Sequence, residues 1–203
     1  MSEPSAAFPG SDAEYLAQEL YGTRDRADRF YRDQLVDVLT PTMREFIAEQ
    51  TELVVSSVDP EGRPDSSVRF GEPGFVSIVD ERTVAWPELR GNGVLTTIGN
   101  LVKNPAAHLM FLDRTARIGL HLRGHTRILE CDDMADEHPQ VIAAAHVPRE
   151  PERWVLLHLA TAYVHCRKHF PRPGGNVAWG TDDARAKGGD FFGAKRTRTP
   201  WST

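Results

Sequence analysis

The segment from Ser66 to Phe111 most constrains the fold, because it places a single amphipathic stretch among several short β-type runs. Apolar side chains recur at helical spacing within this stretch, which predicts one helix over Asn92–Lys103. The β-type runs around it are Asp65–Phe70, Phe75–Val79, Thr83–Trp86 and Ala106–Leu112. A doubly wound parallel sheet needs strands and helices in regular alternation. This order lacks that alternation, so we expect a closed antiparallel barrel.

Further β-type runs extend this pattern on both sides of the segment. They are Glu52–Val58, Ile118–Leu122, His125–Cys131 and Trp154–His165. Gly124 separates the second of these runs from the third, and Asp132–Val147 is expected to be helical or irregular. We therefore predict a mainly β fold, with six antiparallel strands built from residues 52–166 and the central helix beside them.

Three helical segments precede the first strand. Ser11 has a glutamate three residues later, the pattern of a capping box, which predicts a helix over Asp12–Tyr21. A second helix is expected over Arg24–Leu39. Thr40 followed by proline is typical of a helix start and predicts a third helix that ends at Gln50. The predicted organisation is a disordered N-terminus (1–10), a helical arm (11–50), a barrel domain (51–172) and an irregular tail (173–203).

Arg69, Arg90 and the expected start of the Asn92–Lys103 helix provide the groups that bind a phosphate. The first turn of a helix offers unpaired backbone N–H groups and the positive end of the helix dipole. A guanidinium adds charged, forked donors. Gly71 and Gly74 follow Arg69 and would let a flat ligand approach the backbone closely. These residues predict a phosphate-bearing or flat ligand.

Three motifs carry a resemblance to a known family. They read Ser-Ser-Val-Arg-Phe-Gly-Glu-Pro-Gly-Phe-Val at 66–76, Trp-Pro-Glu-Leu-Arg-Gly-Asn at 86–92 and Gly-Asn-Leu-Val-Lys-Asn-Pro at 99–105. In this order they resemble the pyridoxamine 5′-phosphate oxidase-like FMN-binding split-barrel family, and its uncharacterised branch more closely than the vitamin-salvage oxidase. The resemblance covers about residues 40–170. It departs at Asn92, in a stretch where the salvage oxidase carries basic residues.

The resemblance implies an FMN-binding split barrel and a flavin-dependent oxidoreductase that transfers hydride to or from a small-molecule substrate. It also implies a homodimer with the flavin near the interface, to which the segment Cys166–Arg172 would contribute in trans. The cofactor-binding residues that it implies are Arg69, Phe70, Gly71, Trp86, Pro87, Arg90, Gly91, Asn92, Lys168 and His169. No catalytic acid or base can be named from the sequence, because in a flavoprotein the ring itself carries the redox chemistry.

Two of these segments have a second interpretation. Trp86 and Pro87 equally fit the end of a strand whose tryptophan fills the core. The basic segment that begins at His165 equally fits a solvated strand end, and its spacing is not that of a zinc site, so no metal is expected. A cofactor-binding or sensing module on the same fold also stays open. It would hold haem, a deazaflavin or a flavin without turnover, with His165, Cys166 and His169 as candidate axial ligands.

Composition excludes several classes of function. A length of 203 residues fits one domain, and a net charge of −5 argues against a nucleic-acid surface. No apolar run is long enough to cross a membrane, and no signal pattern is present, so a cytoplasmic protein is expected. Cys131 and Cys166 make no disulfide framework, and reduced thiols are expected. His121 and His125 are interpreted as surface histidines.

Overall fold

The computed structural model describes residues 9–147, 149–170, 183, 185, 187–197 and 199. The helices are α1 (Asp12–Leu20), α2 (Arg24–Gln34), α3 (Pro41–Ala48), α4 (Thr96–Lys103), α5 (Cys131–Glu137) and α6 (Pro139–Ala144). The strands are β1 (Glu52–Val58), β2 (Pro64–Phe70), β3 (Ser77–Asp80), β4 (Thr83–Glu88), β5 (Ala106–Asp113), β6 (Ile118–Leu129) and β7 (Arg153–His165). Short 3₁₀ helices cover Arg167–His169 and Ala194–Arg196.

All seven strands form one sheet in the order β2-β1-β5-β6-β7-β4-β3, and every pairing is antiparallel. The expected mainly antiparallel sheet with helices is confirmed, and it is the arrangement of the split-barrel fold. The expected count of six is wrong, because seven strands pair in this sheet, with the short β3 at the edge beside β4. The hydrogen-bonded ladder also does not close. Strands β2 and β3 are its two edges, so an unpaired seam remains where a closed barrel would be sealed.

The break predicted at Gly124 is a β-bulge inside one continuous strand, β6. The register between β6 and β7 shifts between Arg123 and Gly124. A Cβ atom at position 124 would collide with the backbone carbonyl oxygen of His158 on β7. Glycine therefore permits a close approach of two backbones here, rather than ending a strand.

The N-terminal helices differ from one another in how they pack. The capping box of α1 is present, with Ser11 and Glu14 bonded to each other's backbone N–H groups. Helix α2 ends at Gln34 rather than at Leu39, because Leu35 is extended and Val36 exchanges two backbone hydrogen bonds with Ala162 of β7. No side chain of α1 or α2 is buried.

Helix α3 packs directly into the main core. The side chain of Thr40 accepts a hydrogen bond from the N–H of Met43 and so caps the helix, as its sequence predicts. Met43, Phe46 and Ile47 are buried among the apolar residues of the sheet. The Thr40 hydroxyl also donates to the backbone oxygen of Phe192, whose ring lies in the same core. The C-terminal region thus completes the packing over α3.

Some expectations fall on the ends of the chain. Residues 1–8 of the predicted disordered N-terminus lie outside the described residues, as does most of the predicted tail 173–203. The division into arm, barrel domain and tail stays a prediction. Among the helices that the structure describes, none has the length and apolar character needed to span a bilayer.

Candidate functional site

A cleft of about 490 Å³ lies along the unpaired seam of the sheet, between β2, the end of β4 and the start of α4. Its described lining residues are Asp65–Gly71, Phe75, Pro87–Leu89, Gly91–Gly93, Leu95–Ile98, His146 and Val147. A volume of this size is typical of a small-molecule or cofactor site. The cleft is therefore the main candidate site in the described part of the chain.

The structure brings six of the ten predicted site residues to this cleft. They are Arg69, Phe70, Gly71, Pro87, Gly91 and Asn92. The other four, Trp86, Arg90, Lys168 and His169, are not among its described lining residues. Trp86 is fully buried in the core, whereas Arg90 is exposed in the loop between Leu89 and Gly91. The sequence therefore predicted residues on one side of this cleft, whereas Arg90, which was expected to bind the phosphate, lies in the loop beside it.

Arg69 is held at the cleft by a buried carboxylate that sequence reasoning missed. The Nε atom of Arg69 donates to Oε1 of Glu88 at 2.9 Å, and the same oxygen accepts the indole N–H of Trp86 at 2.8 Å. The Nη1 atom of Arg69 donates to the Ser67 hydroxyl at 2.6 Å. Only 8% of Glu88 is exposed. Since β2 and β4 are not hydrogen-bonded to each other, this ion pair joins them across the seam.

The expected helix start at Arg90-Gly91-Asn92 is wrong. Helix α4 begins at Thr96, and Leu95 before it has a left-handed backbone with φ of 57°. The Asn92 side chain accepts the N–H of Val94, so it stabilises a turn of the preceding loop instead of capping the helix. The first turn of α4 still lines the cleft. The helix start and the Arg90 loop are therefore separate parts of the same cleft wall.

A carboxylate from strand β2, that of Asp65, lies at the first turn of α4. The hydroxyl of Thr97 donates to Oδ2 of Asp65 at 3.5 Å, and both residues line the cleft. A negative charge is stabilised at the start of a helix, so Asp65 occupies part of the positive end of the α4 dipole. Asp65 bonds to the Thr97 hydroxyl and not to a backbone N–H, and the first-turn N–H groups of a helix have no partner within the helix.

The structure explains the glycine at position 71 by a different contact from the one predicted. A Cβ atom there would overlap the ring of Phe75, which packs against the glycine from the same chain. The space that the sequence assigned to a flat ligand is thus filled by Phe75. Gly91 is different, because no atom lies within 4 Å of its would-be Cβ. The backbone at Gly91 is accessible from the cleft.

Three histidines form a hydrogen-bonded row across β5, β6 and β7. Nε2 of His108 lies 2.8 Å from Nδ1 of His121, and Nε2 of His121 lies 3.1 Å from Nδ1 of His165. The His121 ring also stacks on Tyr163 with centroids 4.5 Å apart. His121 is half-buried, so its interpretation as a surface histidine is wrong, whereas His125 is exposed as expected. The sequence shows the three histidines but not the strand register that aligns them.

Burial governs the ionisation of this histidine row. Loss of hydration, together with the charges of the nearby His108, His165 and Arg123, lowers the pKa of His121 to about 3. Burial also lowers the pKa values of His108 and His165. Among the described residues, no group of three or more His, Cys, Asp or Glu side chains is arranged to hold a metal ion. The row is thus a chain of neutral imidazoles at neutral pH.

Lys168 and His169 lie in the short 3₁₀ helix that follows β7. Cys166, just before this helix, is an exposed free thiol. Arg172, at the end of the segment expected to act in trans, lies outside the described residues. Within a single chain, the described residues of this segment do not line the cleft.

Comparison with known proteins identifies the family. No curated protein matches the sequence. The tagged HupZ protein of Group A Streptococcus is 20% identical, with a TM-score of 0.49 over 68% of this chain and 98% of that one. An FMN-binding protein from Syntrophomonas wolfei is 12% identical, with a TM-score of 0.48 over 76% and 97%. General Stress Protein 26 from Bacillus anthracis is 15% identical, with a TM-score of 0.42 over 61% and 90%. The family model described as pyridoxamine 5′-phosphate oxidase matches residues 39–166, more than half of the sequence. The chain therefore belongs to the pyridoxamine 5′-phosphate oxidase family.

Proposed function

We propose that this protein binds FMN in the seam cleft and acts as an oxidoreductase on a small-molecule substrate. The observation that carries this proposal is that Arg69, the Gly91 loop and the first turn of α4 meet at one cleft, in a chain of this family. When bound, the flavin would supply the hydride-transfer chemistry. The protein's own residues would bind and orient the cofactor.

The residues of the cleft fit a flavin nucleotide. Phe70, together with Val68, gives apolar surface of the kind that a flat ring system needs. Arg69 adds guanidinium donors, and the start of α4 adds backbone N–H groups. Arg90 lies at the rim as a further cation. The fit has one opposing feature, because the Asp65 carboxylate also lies at the start of α4 and would repel a phosphate there.

A two-fold homodimer is part of this proposal. Phe70 is 67% exposed and Val68 is 43% exposed, and both border the cleft on strand β2. An apolar edge of this kind beside an open site suits a second copy of the chain. Lys168 and His169 are not at the cleft of their own chain, so they would act at the cleft of the partner subunit. Light scattering at micromolar concentration tests the dimer, and a monomer under these conditions would contradict it.

The cofactor itself is tested by spectroscopy and titration. The purified protein is expected to show flavin absorbance at roughly 450 nm, a property of the cofactor, or to take up FMN when titrated. Replacing Arg90 by alanine should weaken FMN binding about 10- to 100-fold, the value of one charge-assisted contact. Arg123→Ala is the matched control, because Arg123 is exposed on β6 and does not line the cleft. Equal affinities of the Arg90→Ala and Arg123→Ala variants for FMN would contradict the proposal that Arg90 binds the phosphate.

The competing function is a cofactor-binding or sensing module that holds haem, a deazaflavin or a flavin without turnover. Its haem-binding form is tested by titration. It predicts no FMN uptake and a Soret band on haem titration. That band should disappear when His165, Cys166 and His169 are replaced together. A mass measurement of any cofactor that co-purifies distinguishes FMN from a deazaflavin directly.

A further inference from the structure

Glu88 neutralises Arg69, the arginine that lines the cleft in the described part of the chain. Its carboxylate is buried and accepts from Nε of Arg69 at 2.9 Å and from the Trp86 indole at 2.8 Å. Ser67 takes a further donor of Arg69, from Nη1. No acceptor for Nη2 is present among the described residues, and the Arg69 side chain is 18% exposed where it lines the cleft. Arg69 therefore offers directional N–H donors with little net charge.

A phosphate and a flavin ring make different demands on such a group. A dianionic phosphate is attracted by an uncompensated cation, and the nearby Glu88 charge would oppose its approach. The carbonyl oxygens and ring nitrogens of a flavin are uncharged acceptors, for which oriented donors are sufficient. Arg90 has no carboxylate partner among the described residues. It therefore keeps the uncompensated positive charge that a phosphate needs.

We propose that Glu88 is a positioning residue. It orients and neutralises Arg69, so that Arg69 binds the polar edge of the flavin ring while Arg90 binds the phosphate. This assignment rests on the proposed function, since it concerns the same cleft and the same cofactor. It gives different roles to Arg69 and Arg90, which the sequence analysis predicted to bind a phosphate together. Glu88 acts in it by fixing the guanidinium and by cancelling its charge.

Binding of FMN and of riboflavin separates the two roles, because the two ligands share one ring system and only FMN carries the phosphate. Dissociation constants for both are measured by quenching of flavin fluorescence. Arg69→Gln should weaken both ligands by the same factor, about tenfold for one charge-assisted hydrogen bond. Arg90→Gln, the matched control, should weaken FMN by a similar factor and leave riboflavin unchanged. A loss confined to FMN in Arg69→Gln overturns the assignment.

Glu88→Gln tests the charge of the positioning residue, because glutamine keeps an oxygen acceptor of similar size. With Arg69 no longer compensated, the affinity ratio of FMN to riboflavin should rise about three- to tenfold. An unchanged ratio overturns the role of Glu88. Arg69→Gln leaves the buried Glu88 without its partner and for that reason can fail to fold. In that case the double variant R69Q/E88Q, in which both side chains are uncharged, should weaken FMN and riboflavin binding by the same factor. A wild-type protein that binds neither flavin overturns the proposed function itself, and the assignment with it.

Discussion

Acidification is expected to destabilise this protein through the histidine row on β5, β6 and β7. His108, His121 and His165 are joined by two ring-nitrogen contacts of 2.8 and 3.1 Å. Each contact needs a donor on one ring and an unprotonated acceptor on the other. Protonating the central ring would remove its acceptor and place a positive charge beside Arg123. The folded state therefore resists protonation at this position.

The size of the effect follows from the pKa difference between the two states. An unfolded histidine has a pKa of about 6.5, whereas burial lowers the pKa of His121 to about 3 in the folded protein. Below pH 6.5 the unfolded chain binds a proton that the folded protein does not. Stability is thus complete above pH 6.5 and falls as the pH approaches 3. The full linkage is about 2 kcal/mol between pH 6.5 and 5, and solvent screening of the half-buried ring reduces it to about 1 kcal/mol.

Urea unfolding at pH 7.5, 6.5, 5.5 and 5.0 measures this linkage. The test variant is His121→Phe, because phenylalanine can keep the stack on Tyr163 and cannot be protonated. As the pH decreases from 7.5 to 5, the free energy of unfolding of this variant should decrease by about 1 kcal/mol less than that of the wild type. His125→Asn is the control, since His125 is exposed on the same strand. Identical pH slopes for wild type and His121→Phe would refute the reasoning.

The backbone of one loop, between β4 and α4, and of the bulge at Gly124 gives further predictions. Gly124→Ala should cost about 2–3 kcal/mol in unfolding free energy, because the new methyl meets the His158 carbonyl. Gly91→Ala, where no atom is near, should change stability by less than about 0.5 kcal/mol, and similar losses for both would contradict the close approach. Leu95→Gly should stabilise by about 0.5–1 kcal/mol, because it relieves a left-handed backbone at a half-exposed side chain. The same change at the exposed Val94 should not stabilise, and a gain there would refute the strain.

The sequence predicts local elements well where side-chain alternation and turn residues agree. Strand β1 has the predicted bounds, because buried Leu53 and Val55 alternate with more exposed neighbours. Helix α4 is wrong at its start for the opposite reason. Val94 and Leu95 continue the apolar spacing of the helix, yet both are exposed in the loop before it. Periodicity records which side chains are apolar, but the left-handed backbone at Leu95 is invisible to it.

The number of strands shows a different limit. The β-type runs named from the sequence number seven once the two runs around Gly124 are joined, which the bulge does. Six strands and a closed ladder came from the expected barrel and not from the runs themselves. Glycine in a strand pattern indicates either a break or a bulge, and only the partner strand decides between them.

The candidate site depends on a feature that no local pattern contains. Arg69 and Glu88 are both visible in the sequence, but they lie on β2 and β4, which do not pair in the sheet order. They meet only because the sheet curves until its edge regions approach without joining. A closed ladder would fill this region with paired backbone, whereas the open seam leaves a cleft of about 490 Å³. The ion pair of 2.9 Å then holds the two sides of the seam together. The same contact also compensates the charge of Arg69, which lines the cleft, so Glu88 contributes both to the packing of the two strands and to the electrostatics of the cleft.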